Sequence, residues 1–212
     1  MNLTNYYYFF KSAVPKRICD DIVRYGKQLQ DQMAVTGGYG RSQGDKPLSR
    51  IQIKDLKKKR DSEIVWLNAR WIYKEIQPYV HIANREAGWN FQWDFSESMQ
   101  FTQYKKGQYY DWHCDGWDRP YQKQQSDPSN GKIRKLSVTL TLSDPKEYKG
   151  GELEFDFRNL DPDKKRNVRK CKEILPKGSL VVFPGFVWHR VCPVKKGTRH
   201  SLVMWSLGWP FK

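Results

Sequence analysis

From Phe91 onward the chain is divided into short β-prone runs with no helical stretch between them, and this feature narrows the fold more than any other. The runs are FQWDF, SMQFTQY, QYYDWH, KLSVTLTL, GELEFDF, SLVVFP, VWHRVCPV and RHSLVMWSL. Gly107, Asp144-Pro145, Gly150-Gly151, Pro184-Gly185 and Lys196-Gly197 separate them, and these are residue types that turns require. Eight short strands in sequence suit a two-sheet jelly roll or a small barrel.

The preceding part of the chain has a different character. Tyr6–Phe10 is an aromatic, β-prone run. Pro15 suits a first helical turn, and Ile18, Ile22, Val23 and Leu29 recur at helical spacing. Residues 34–60, with GGYG and a Lys/Arg run, form a long connection. A second helix is expected from Asp61–Ser62, with Ile64, Leu67, Trp71 and Ile76 on one stripe and a kink or interruption at Pro78. With 212 residues and no repeat or low-complexity linker, the expectation is one domain over 1–212. It is α+β and mainly β, with a helical N-terminal support (1–90) packed on a jelly-roll core (91–212).

Composition excludes several classes. Hydrophobic residues make up 38% and charged residues 29%, a globular balance, and no run nears the roughly 18–20 apolar residues of a membrane span. The opening MNLTNYYYFFKS has neither a basic leader nor a small-residue cleavage site, so a cytoplasmic protein is expected. Cys19, Cys114, Cys171 and Cys192 are scattered without a C-x-x-C pair, against a zinc ribbon or a disulfide framework. The net charge is +15. Residues 41–60 hold eight basic residues against Asp45 and Asp55, and residues 158–172 hold seven against Asp161 and Asp163. Such runs are solvated loops or a rim that attracts a polyanion or an acidic protein.

The chemistry lies in Tyr104-Lys-Lys-Gly107-Gln-Tyr-Tyr110-Asp-Trp-His113-Cys-Asp115. His113 and Asp115 are two apart and share a face if both lie on a strand. His189 follows 76 residues later, in Phe183-Pro-Gly-Phe-Val-Trp-His189-Arg-Val, and Arg199 comes ten residues beyond it. Two histidines and one carboxylate on one side of an ion leave the opposite positions open, the arrangement of non-haem Fe(II) oxygenases. Arginine offers two parallel N–H donors to a carboxylate, a geometry lysine cannot match. Ser201 is two residues from Arg199 and can face the same way. Trp205, six residues from Arg199, should share that side as well. Alternation turns Cys114 and His200 away, and His81 falls in helical sequence. Of Tyr109 and Tyr110, spacing favours Tyr110 at the site.

Residues 98–207 resemble the prolyl 4-hydroxylase-like branch of the Fe(II)- and 2-oxoglutarate-dependent dioxygenases, especially the bacterial and phage PKHD-type hydroxylases. Tyr104-x-x-Gly107-x-x-Tyr110-x-x-His113-x-Asp115 resembles the segment leading to the first iron ligands. The run from Leu136 to Gly150-Gly151-Glu152-Leu resembles the central strand and double-glycine turn. Leu175-Pro-Lys-Gly178 through Pro184, then His189 to Gly197-Thr-Arg199, resembles the distal ligand region. The resemblance implies a double-stranded β-helix and iron held by His113, Asp115 and His189. It implies 2-oxoglutarate held by Arg199 and Tyr104, with Thr141 beside it, dioxygen as the second co-substrate and ascorbate (vitamin C) as reductant, and Ser201 by its spacing can add a hydroxyl donor. Many prolyl 4-hydroxylases carry lysine where this chain has Arg199. Asp115 counts against a halogenase, which needs that position for halide.

By family analogy the substrate is a prolyl residue in a peptide or protein, passing between Tyr110, Trp117, Trp205 and the basic loop 41–60. Other readings stay open at this level. They are demethylation of a nucleic-acid base, hydroxylation of a free small molecule, and a catalytically silent jelly-roll binding module.

Overall fold

A computed structural model describes residues 5–35, 57–116, 119–157 and 167–211. Most of the basic loop 41–60, the tip of the basic run 158–172, and Trp117 lie outside these residues.

The core is two facing antiparallel sheets. The larger is ordered β1 (Tyr8–Phe10), β11 (Leu180–Pro184), β7 (Ile133–Thr141), β14 (Arg199–Gly208), β5 (Met99–Tyr104) and β3 (Glu63–Leu67), with β4 (Phe95–Ser96) pairing on β14. The smaller is ordered β10 (Val168–Lys170), β9 (Leu153–Asp156), β12 (Trp188–Val191), β6 (Tyr109–His113) and β2 (Arg60–Asp61). A two-stranded ribbon joins β8 (Tyr148–Gly150) to β13 (Val194–Gly197). The fold is a jelly roll, as the strand pattern and the resemblance imply.

Period-two alternation builds the layers. On β7, Leu136, Val138 and Leu140 point outward and join Leu180, Val182, Leu202 and Met204. Two helices cover that outer face, α1 (Lys16–Val35) and α2 (Arg70–Glu86), through residues such as Ile22, Ile72, Ile76 and Val80. Between the sheets a second cluster gathers Tyr104, Leu153, Phe155, Val181, Phe183 and Val191. β11 therefore contributes to both clusters and reads as a continuous apolar run. At roughly 25 cal/mol per Å² of apolar surface, this burial drives the layering.

The first ninety residues depart from the sequence reading. They are not a helical buttress alone, because β1 and β3 extend the larger sheet and β2 extends the smaller one. Glu63–Leu67 is a strand rather than the start of the second helix. Val65 and Leu67 are buried while Ile64 and Trp66 are exposed, a period of two in β-branched and aromatic sequence. The helix begins only at Arg70, and Trp71 lies on its exposed side. It continues through Pro78, which occupies an exposed position where the carbonyl it leaves unpaired can meet solvent. FQWDF forms a strand only at its end, and VWHRVCPV divides at Pro193 into β12 and β13. All four cysteines are free thiols, and burial raises Cys19 to about 11 and Cys171 to about 12. No helix among the described residues is long and apolar enough to cross a membrane.

Candidate metal and co-substrate site

His113 ends β6 and His189 lies on β12, directly opposite each other in the pairing of the two strands. Asp115 is past the end of β6, in a bend whose Gly116 N–H donates to the Gly185 carbonyl at 2.6 Å. His113 and Asp115 therefore do not share a strand, and this turn brings the carboxylate back over the strand end. The nearest oxygens of Asp115 are 3.8 Å from His113 Nε2 and 3.5 Å from His189 Nε2. These three side chains are a group whose donor atoms can share one ion.

The tautomers suit a metal. The Nδ1–H of His113 donates to the Asp111 carbonyl at 2.7 Å, and that of His189 to the Val187 carbonyl at 3.0 Å. A carbonyl only accepts, so each Nδ1 carries the proton and each Nε2 lone pair faces Asp115. Burial, then the neighbouring His189, lowers the His113 pKa to about 4, which keeps the ring neutral. For Asp115 burial acts to raise the pKa, but the two imidazoles and Arg134 outweigh it and hold the carboxyl below its ordinary range. Among the described residues its Oδ2 is buried without a hydrogen-bond partner. A buried, ionised oxygen with no donor is costly unless a cation completes it, so this donor set fits a divalent ion.

On the facing sheet Arg199 is 2% exposed. Its Nη1 donates to Ser201 Oγ at 3.1 Å, and its guanidinium stands 5.6 Å from the Tyr104 ring centroid, across the β14–β5 pair. Among the described residues no carboxylate lies within 4.0 Å of it. A buried guanidinium without a counter-ion is matched to an anionic ligand. Burial raises the Tyr104 phenol pKa, so it stays a hydroxyl donor. The pocket between these groups is lined by the triad, Tyr104, Tyr110, Arg199, Ser201 and Trp205, together with Gln100, Thr139, Leu153, Val191 and Val203. It is narrow, with a volume of about 30 Å³.

Tyr110 reaches the site through a bulge. His189 pairs with His113 and Val191 with Tyr110, so Asp111 and Trp112 of β6 together oppose Arg190 of β12. The extra residue returns Tyr110 to the face of His113, where the rings stack at 3.5 Å. Tyr109 instead donates to the Lys57 and Lys58 carbonyls. Trp205 is buried beside the triad, between Arg134 at 3.8 Å and Trp66 at 6.0 Å. Thr141 lies opposite Ser201 but does not line the pocket, where Thr139 stands instead. Cys114 is half-buried and donates to the Phe186 carbonyl. His81 is exposed and stacks on Trp93 at 4.7 Å.

Sequence reasoning missed Arg60, Trp66, Arg134 and Thr139. Arg60 pairs across from Tyr110, covers its ring at 4.6 Å and donates to Gln100 Oε1 at 2.8 Å. Arg134 is held by Glu97 at 2.6 Å. Thr139 alone carried a signal, being two residues before Thr141 on one strand.

Two supporting positions give testable outcomes. Gly151 has φ +65°, and a Cβ there would stand 2.9 Å from Arg199 Cδ. Gly151→Ala is expected to cost about 1–3 kcal/mol in backbone strain. It should also raise the KM for 2-oxoglutarate by displacing Arg199; unfolding and steady-state rates check both effects. His200 is buried with Nε2 2.9 Å from Gln103 Oε1, and burial, then nearby cations, lowers its pKa from 6.5 to about 4. The native state therefore excludes a proton that the unfolded chain takes up. Its contribution is complete above pH 6.5 and falls as pH drops toward 4, by on the order of 3 kcal/mol. His200→Asn should show a correspondingly smaller loss between those limits in denaturant titrations.

The jelly roll with a His-Asp-His group on one sheet and a buried arginine on the other defines the class of non-haem Fe(II) oxygenases. Residues 99–207 match the family model described as the 2OG-Fe(II) oxygenase superfamily, and the chain belongs to that family. Over 106 residues it is 39% identical to the PKHD-type hydroxylase YbiX of Escherichia coli, and equally to that of Escherichia fergusonii. The match covers 50% of this chain and 40% of those relatives. Among solved structures it resembles a viral collagen prolyl hydroxylase of Paramecium bursaria Chlorella virus-1, with TM-score 0.61 and 20% identity over 97% of each chain. It also resembles a Pseudomonas putida prolyl-4-hydroxylase, with TM-score 0.60 and 17% identity over 96% of this chain and 92% of that one. A Trichoplax adhaerens prolyl hydroxylase, solved with a hypoxia-inducible-factor peptide fragment, has TM-score 0.60 and 16% identity over 96% and 84%.

Proposed function

We propose that this protein is an Fe(II)- and 2-oxoglutarate-dependent hydroxylase acting on a prolyl residue in a peptide or protein. The observation that carries the reading is the pairing of two oriented Nε2 lone pairs and an orphaned Asp115 oxygen with an Arg199 opposite that meets no counter-ion among the described residues. His113, Asp115 and His189 would hold the iron. Bound iron, with 2-oxoglutarate and dioxygen, would supply the oxidation that turns C–H into C–OH, the co-substrate leaving as succinate and carbon dioxide.

The protein's own part is orientation. Arg199 and the Tyr104 and Ser201 hydroxyls fix the far carboxylate of 2-oxoglutarate, and Leu153, Val191 and Val203 exclude water beside it. Trp66, exposed on the inner face of β3 and next to Trp205, extends an aromatic floor outward from the triad. Rings of this kind suit a prolyl peptide.

The test incubates the protein with Fe(II), ascorbate, 2-oxoglutarate and a library of peptides, free amino acids and methylated oligonucleotides. Mass spectrometry should show one oxygen gained by proline-containing peptides, matched by succinate, and none by their alanine counterparts. Turnover of a free amino acid or a methylated base, with no peptide modified, overturns the substrate reading.

A further inference from the structure

A cleft larger than the one at the triad lies elsewhere on the molecule. It has a volume of about 790 Å³ and lies between residues 90–94 and the C-terminal run Gly208–Phe211, walled by Phe91, Trp93, Trp209, Pro210 and Phe211 with Lys135 among them. Gly208 makes the wall possible, because a Cβ there would stand 2.2 Å from the Gln92 carbonyl oxygen.

Lys135 is a bulged residue. Leu136 pairs with Ser206 and Arg134 with Leu207, so one extra residue of β7 faces the step between 206 and 207. The bulge sends Arg134 to Trp205 and leaves Lys135 in the cleft. Lys135 is 4% exposed, and its Nζ stands 3.3 Å from the centroid of the Phe211 ring. Among the described residues no carboxylate lies within 4.0 Å of it, whereas neighbouring Lys132 holds Asp94 at 2.7 Å. A ring face offsets only part of the cost of a buried ammonium. The cleft is also tied to the triad loop. The Lys135 carbonyl accepts from Gly185 N–H at 2.9 Å, and the Gly185 carbonyl accepts from Gly116 N–H, next to Asp115.

We infer that this cleft is a second binding site, which takes an acidic side chain of an extended polypeptide on Lys135 and the flanking chain on Trp93 and Trp209. The inference rests on the peptide-hydroxylase reading and assigns it a substrate class, a proline segment with an acidic residue displaced from the target. Trp209 is 60% exposed, so this ring is open to such a chain.

The test titrates a proline peptide flanked by glutamates, and its glutamine counterpart, into the full chain loaded with Fe(II) and 2-oxoglutarate under argon, followed by calorimetry. Lys135→Met should bind the glutamate peptide roughly thirtyfold or more weaker than the unsubstituted protein and the glutamine peptide equally well. Lys135→Arg should restore much of the difference, and Trp209→Ala, which removes an exposed ring, should weaken both peptides. Equal binding of the glutamate peptide to Lys135→Met overturns the site. A DNA oligonucleotide that depends on Lys135 while the glutamate peptide does not overturns the choice of occupant. Lys135-dependent peptide binding followed by no hydroxylation on admitting air counts against the catalytic reading and supports the cleft.

Discussion

Asp115→Ala is expected to abolish 2-oxoglutarate turnover and the stabilisation that Fe(II) gives the protein. Loss of groups that merely orient a ligand costs about 10–100-fold in metal affinity, so loss of the anionic ligand itself should exceed about a hundredfold. The metal-free protein responds separately. Its neighbours hold the Asp115 carboxyl below its ordinary range, so the group contributes stability at neutral pH that is lost as pH falls through the carboxylate range, and Asp115→Ala should lack that pH dependence. Melting curves with and without Fe(II) under argon separate the two effects. A purely structural carboxylate would leave the shift on adding iron intact.

Arg199→Ala is expected to raise the KM for 2-oxoglutarate by roughly 30- to several-thousand-fold while Fe(II) still binds. Truncating one partner of a buried charge pair costs about 2–5 kcal/mol. The guanidinium is held by Ser201 and packed beside Tyr104, so it is preorganised for a carboxylate before the ligand arrives. Arg199→Lys should recover only part, since an ammonium lacks the parallel pair of donors. An unchanged KM in Arg199→Ala would place the anchor elsewhere.

The jelly roll and the metal group were legible because both follow local rules. Alternation in KLSVTLTL and RHSLVMWSL sets inner and outer faces, and β7 and β14 keep those faces over most of their length. His113, His189 and Arg199 lie at strand positions that such rules reach. What escaped depends on partners distant in sequence or on broken alternation. EIVWL reads as helix only while its partner β5 is unknown, and pairing on that strand decides the matter. Arg134 and Lys135 are aimed by a bulge, which appears only once the opposing strand is in register. Arg60 ends a basic run that resembles a solvated loop, and only its pairing with Tyr110 places it at the site.

The most direct test of the central claim is the binding isotherm of 2-oxoglutarate under argon, with and without Fe(II), for the unsubstituted protein and His189→Ala. One 2-oxoglutarate per chain should bind only when Fe(II) is present, and His189→Ala, still folded by circular dichroism, should lose that binding. Equal affinity without iron, or in His189→Ala, would contradict a site in which His113, Asp115 and His189 hold the iron against which Arg199 anchors the co-substrate.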